Sequence, residues 1–60
     1  MEKKYIVKNF DSQEYYCGKI HGWAKQHYLV EYFDSIKDAK KFISGEKGRF
    51  QIELIYIIII

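Results

Sequence analysis

Sixty residues with a single cysteine fit one domain, 1–60, and exclude a disulfide within the chain. Ten basic and eight acidic residues leave a net charge of +2, which excludes the strongly basic footprint of a dedicated nucleic-acid binder. Aromatic side chains are the compositional outlier at 18%, with six Tyr, four Phe and one Trp to supply packing area or binding contacts.

Residues 4–8 alternate, Tyr5 and Val7 to one side and Ile6 and Lys8 to the other, as a strand does. Asp11-Ser12-Gln13 has turn chemistry, and residues 14–19, with Tyr15, Tyr16 and Cys17, predict the second arm of a β-hairpin. Residues 18–26 read as an irregular stretch bracketed by Gly18 and Gly22 and carrying Trp23. A third strand is predicted over 27–33, with Tyr28, Val30 and Tyr32 opposite Leu29 and Phe33. Ser35 is a helix N-cap with Asp38 three residues on, a variant of the capping box. Ile36, Ala39, Phe42 and Ile43 form one apolar face, with Lys37, Lys40 and Lys41 outside it and Gly45 as the stop. Residues 49–60 predict the last strand. The fold class is therefore α+β: a small antiparallel sheet with one helix packed on one face, in the order β-β-β-α-β.

The end of the chain is the strongest physical signal. Leu54, Ile55, Tyr56, Ile57, Ile58, Ile59 and Ile60 follow Glu53 without a polar residue. Burying one isoleucine is worth about 1.5–3 kcal/mol, and a solvated run of this kind is an aggregation segment. One helix covers only one sheet face, so the strand needs cover on its second face. A two-fold homodimer through Leu54, Tyr56, Ile57, Ile58, Ile59 and Ile60 supplies that cover; a long central strand within one chain is the alternative. The run is too short to span a bilayer as a helix, and Met1-Glu2-Lys3-Lys4 opens no secretory signal. Together with the lone cysteine, this gives an expectation of a cytoplasmic protein with no membrane partner.

Chemistry-bearing constellations are incomplete. Cys17, His21 and His27 are of zinc-binding types but lack the fourth ligand and paired spacing of a structural site, so no metal or other cofactor is expected. Cys17 with His21 lacks the orienting group and oxyanion site of a thiol enzyme, and no enzymatic activity is expected. Residues 44–49 hold glycines and cations but lack phosphate-loop spacing and follow a helix instead of preceding one. Tyrosines beside Lys3, Lys4, Lys8 and Lys19 leave a single-stranded nucleic-acid or nucleotide-binding module as the alternative function. The best contact patch is Trp23 with Tyr15, Tyr16, His21, His27 and Tyr28, since tryptophan and tyrosine are enriched at interface hot spots. A Trp23 folded inward to close the core is the competing assignment.

The strings Tyr5-Ile6-Val7-Lys8-Asn9-Phe10-Asp11, Glu14-Tyr15-Tyr16-Cys17-Gly18, Trp23, Tyr32-Phe33-Asp34-Ser35 and Asp38-Ala39-Lys40-Lys41-Phe42-Ile43 make a recurring pattern. With its isoleucine-rich last strand, the chain resembles small proteins encoded by bacteriophages of low-GC Gram-positive bacteria. Some such proteins block host defence by binding a defence protein or its signal. The resemblance implies an inhibitor of a host protein in the host cell, which with the two-fold pairing read from the tail and the incomplete chemistry gives the expectation of a homodimeric, non-enzymatic inhibitor. It carries no individual site residue across.

Overall fold

The computed structural model describes residues 1–26 and 29–58. Its centre is strand β1, Glu2–Asn9, which turns into β2, Glu14–Tyr16, through a hairpin. The turn is built by Asn9, whose Oδ1 accepts hydrogen bonds from the backbone N–H of Asp11 (2.9 Å) and Ser12 (3.1 Å). This is the side-chain mimicry of a backbone turn that suits asparagine to such positions. Gln13 closes the loop in the left-handed region, φ 61°, with its N–H on Asn9 O at 2.9 Å.

Beyond β2 the chain forms a one-turn helix, α1 (Gly18–His21), then β3 (Trp23–Ala24) returns antiparallel along β2, Tyr16 opposite Trp23. Gly18 enters this turn at φ 90°, and a Cβ there would stand 3.2 Å from a carboxylate oxygen of Glu31, so both conformation and space favour glycine. The helix α2 (Ile36–Ile43) follows, and β4 (Phe50–Ile57) runs back along the whole of β1. The result is a four-stranded antiparallel sheet in the order β3-β2-β1-β4 with α2 against β1 and β4.

The α+β architecture and the capped helix follow the sequence expectation. Ser35 Oγ accepts the N–H of Asp38 at 3.1 Å, and Gly45 N–H closes on Phe42 O just past the helix. Three elements differ. The second strand expected over 14–19 ends at Tyr16, and the stretch read as irregular opens with the one-turn helix α1, because Gly18 at φ 90° turns the chain out of the ladder. The third strand expected over 27–33 lies instead at Trp23–Ala24; of the described residues in 29–33, Phe33 alone forms a ladder bridge, exchanging both backbone hydrogen bonds with Tyr5. The aromatic packing of Trp23, described below, outweighs the alternation around Val30. Among the described residues the last strand is an edge strand bonded to β1 alone, which removes the alternative of a long central strand.

Alternation along the strands assigns the two sheet faces. Val7, Ile52, Tyr16, Trp23 and Phe50 share the face under α2, where Val7 is 0% exposed and Ala39 of the helix is equally buried. Lys4, Lys8, Tyr15, Gln51, Glu53, Ile55 and Ile57 belong to the other face, with Ile6 buried among the strands. No helix among the described residues is long and apolar enough to cross a membrane.

Candidate functional site

The six residues of the expected contact patch separate. Tyr16 and Trp23 meet, with ring centroids 5.4 Å apart, beneath the helix. Phe42 of α2 lies 4.2 Å from Tyr16 and 6.3 Å from Trp23; Phe50 stacks on Trp23 at 5.5 Å; Phe33 stands 5.5 Å from Phe42. These offset and tilted geometries are those that aromatic rings prefer. Trp23 is thus half-buried in the ring cluster that joins the short β2–β3 ribbon to the helix and to β4. Tyr15 lies on the opposite face with Lys8 Nζ 5.5 Å above its ring. His21 is exposed on α1. His27 and Tyr28 lie outside the described residues.

Cys17 is buried and its thiol points at the carbonyl of Tyr15, 3.4 Å away. Among the described residues no three His, Cys, Asp or Glu side chains converge in a metal-binding group. The third member of the Cys17, His21, His27 set is one of the residues not described.

The apolar surface that does stand open lies along β4. On the helix-side face Leu54, Tyr56 and Ile58 are 46%, 59% and 73% exposed, rising steadily away from the ring cluster. Ile36 at the start of α2 is also exposed. Ile57, grouped with these residues on sequence grounds, is half-buried and belongs by alternation to the other face; Ile59 and Ile60 lie outside the described residues. The backbone at this edge is equally open. Tyr5 spends both its backbone groups on Phe33, so the alternate β1 residues Lys4, Ile6 and Lys8 bond to Ile55, Glu53 and Gln51 of β4. The N–H of Phe10 on Arg49 O at 2.8 Å fits the same alternation. Leu54 and Tyr56, along with Ile52, therefore direct their N–H and C=O groups away from the sheet.

Sequence reasoning missed further exposed apolar residues. Ile20, in α1, is 91% exposed between Lys19 and His21, and Leu29 and Tyr32 are also open. An isoleucine with charged or titratable neighbours in a glycine-bracketed stretch has no strand partner to hide against, and that was the available signal.

Two ion pairs fix the periphery. Lys4 donates to Asp34, tying β1 to the residue before the helix cap, and that hydrogen bond raises the proton affinity of Lys4. At the hairpin end Arg49 donates to Asp11 through Nε at 3.1 Å and through Nη2, while its guanidinium lies 5.0 Å from the Phe10 ring centroid. Those bonds hold the Asp11 carboxyl below its ordinary value and raise the Arg49 guanidinium. No protein-family model, curated protein or solved structure matches this chain.

Proposed function

We propose that the protein is a non-enzymatic interaction protein, a homodimer that binds a host protein and occludes its working surface. A component of antiviral defence is the target class implied by the resemblance to small phage proteins. The observation that carries this reading is the open strip of Leu54, Tyr56 and Ile58 on a strand whose outer backbone groups are unpaired by the sheet. Apolar side chains and free backbone on one edge are the two ingredients of strand-mediated protein recognition. Paired copies would also engage a dimeric target with avidity.

The nucleic-acid alternative draws less support. Stacking of bases needs aromatic rings on an open sheet face, yet Tyr16 and Trp23 engage each other and Phe42 beneath the helix, and Phe50 stacks on Trp23. Of the nearby cations, Lys4 is committed to Asp34 and Lys8 lies over Tyr15.

The test is to immobilise the protein, pass host lysate over it at moderate salt and identify what remains by mass spectrometry. Retention of one stoichiometric protein, weakened by Ile20→Ser in the otherwise intact fold, is the expected outcome. Recovery of nucleic acid alone, lost steeply as salt rises, would overturn the proposal in favour of the alternative.

A further inference from the structure

The geometry points to a specific partner for the β4 edge: a second copy of β4, antiparallel, in the register that places Ile55 opposite Ile55 of the other copy. This rests on the homodimer in the proposed function and specifies how the two chains meet.

The two ends of the sheet differ. β3 is an edge of two residues, too short to template another strand. β4 is an edge of eight residues, and from Phe50 to Ile57 it contains no proline, glycine or lysine to blunt pairing. Its one charged residue is Glu53. An edge of this kind that stays unpaired is an aggregation site, and a two-fold axis normal to the sheet allows it to satisfy itself.

The register follows from two constraints and from overlap: of the centres that keep the two Glu53 side chains apart, Ile55 keeps the longest part of Phe50–Ile57 paired. Outward backbone groups belong to Ile52, Leu54 and Tyr56, so hydrogen-bonded pairs across the axis must join residues of this set or of its continuation to Phe50 and Ile58. Centring on Glu53 sets like charges directly opposite, and centring on Leu54 leaves them diagonal neighbours; both are unfavourable. Centring on Ile55 moves the two Glu53 side chains four positions apart, about 13 Å at strand rise. It then pairs Leu54 with Tyr56 and Ile52 with Ile58 of the other copy, each twice. The residues left most exposed in one chain, Tyr56 and Ile58, are thereby set against Leu54 and Ile52 of the other.

The pairing is read by cysteine cross-linking on the full chain under mild oxidation. Ile55→Cys places two thiols in a pair not joined by hydrogen bonds, with Cα atoms about 4.5 Å apart, inside the range a disulfide spans. It should give a covalent dimer on non-reducing gels. Glu53→Cys and Ile57→Cys should each stay uncrosslinked alone and cross-link when mixed. The wild-type chain, whose Cys17 is buried, is the control. In sedimentation equilibrium the wild type should behave as twice its 7.3 kDa chain mass. Tyr56→Lys, at a position open in the single chain, should keep its circular dichroism and raise the dimer dissociation constant roughly thirtyfold or more, the scale of an interface hot spot. A wild type that stays monomeric at all concentrations overturns the pairing, even where it captures a host protein. A dimer that resists Tyr56→Lys and gives no Ile55→Cys cross-link overturns it as well. Loss of the dimer in Tyr56→Lys with host-protein capture retained supports the pairing and separates it from target binding.

Discussion

Trp23→Ala is the sharpest test of how the sheet and helix are joined. Trp23 is half-buried against Tyr16, Phe42 and Phe50. A packed aromatic side chain buries about 150–250 Å², and the low end suits a residue that keeps one part in water. At roughly 25 cal/mol per Å², with the alanine methyl retained, the substitution removes roughly 3 kcal/mol. That is a large share of the roughly 5–15 kcal/mol that holds a small domain together. In a domain of this size each kcal/mol shifts Tm by about 4–8 °C, so a fall of about 12–24 °C is expected. Thermal and guanidinium unfolding followed by far-UV circular dichroism read the effect without relying on tryptophan fluorescence. Trp23→Phe, which keeps a ring against Phe50, should recover at least half of the loss. A Trp23→Ala protein within 1 kcal/mol of wild type, and defective only in partner capture, would refute this reasoning and return Trp23 to the contact surface.

Ser35→Ala removes the acceptor for Asp38 N–H and should cost about 1 kcal/mol in chemical denaturation; Ser35→Asp should restore most of it. Asn9→Ala strips both side-chain hydrogen bonds from the hairpin loop and should destabilise by about 1–3 kcal/mol, with amide exchange accelerating first at Asp11 and Ser12. Gln13→Gly relieves a left-handed residue whose strain is about 1–2 kcal/mol and adds chain entropy of about half that, so stability should hold or rise slightly. The Asp11 carboxyl, held low by Arg49, stabilises the fold at pH above its ordinary value of 3.8, and that contribution is lost as pH falls through the lowered folded-state value. An NMR titration should find the Asp11 midpoint below 3.8 in the wild type and back at the ordinary value in Arg49→Gln. A midpoint unchanged by Arg49→Gln would disprove the pairing.

The helix was legible because two independent signals agreed: the 3.6-residue recurrence of Ile36, Ala39 and Phe42, and the cap chemistry of Ser35. The first hairpin was legible for the same reason, with alternation over Tyr5, Ile6 and Val7 meeting turn chemistry at Asp11-Ser12-Gln13. The third strand was not. Alternation around Val30 satisfies a period of two, yet pairing in a sheet is decided by contacts distant in sequence, and Trp23 finds Tyr16, Phe42 and Phe50 only once the chain has turned at Gly18. The role of Trp23 was ambiguous in sequence because composition cannot assign a ring to one side of a sheet. The apolar character of β4 was plain, whereas its place at the edge depends on which strands flank β1, information that resides in topology. Ile57 shows the same limit: in a continuous apolar run no alternation marks which residues share a face.

The inequality of the two sheet edges also bounds how large an assembly can grow. Each chain has one long edge, β4, and one stub, β3. A sheet that extends by joining long edge to long edge uses up both in the first step, and what remains at either flank is a two-residue strand beside α1. Head-to-tail addition, the route to open-ended filaments, would need β4 of one copy to pair with β3 of the next, a union limited to the length of the shorter strand. If copies join long edge to long edge as proposed, an isoleucine-rich strand that would be hazardous on a symmetric sheet takes part in a reaction that terminates.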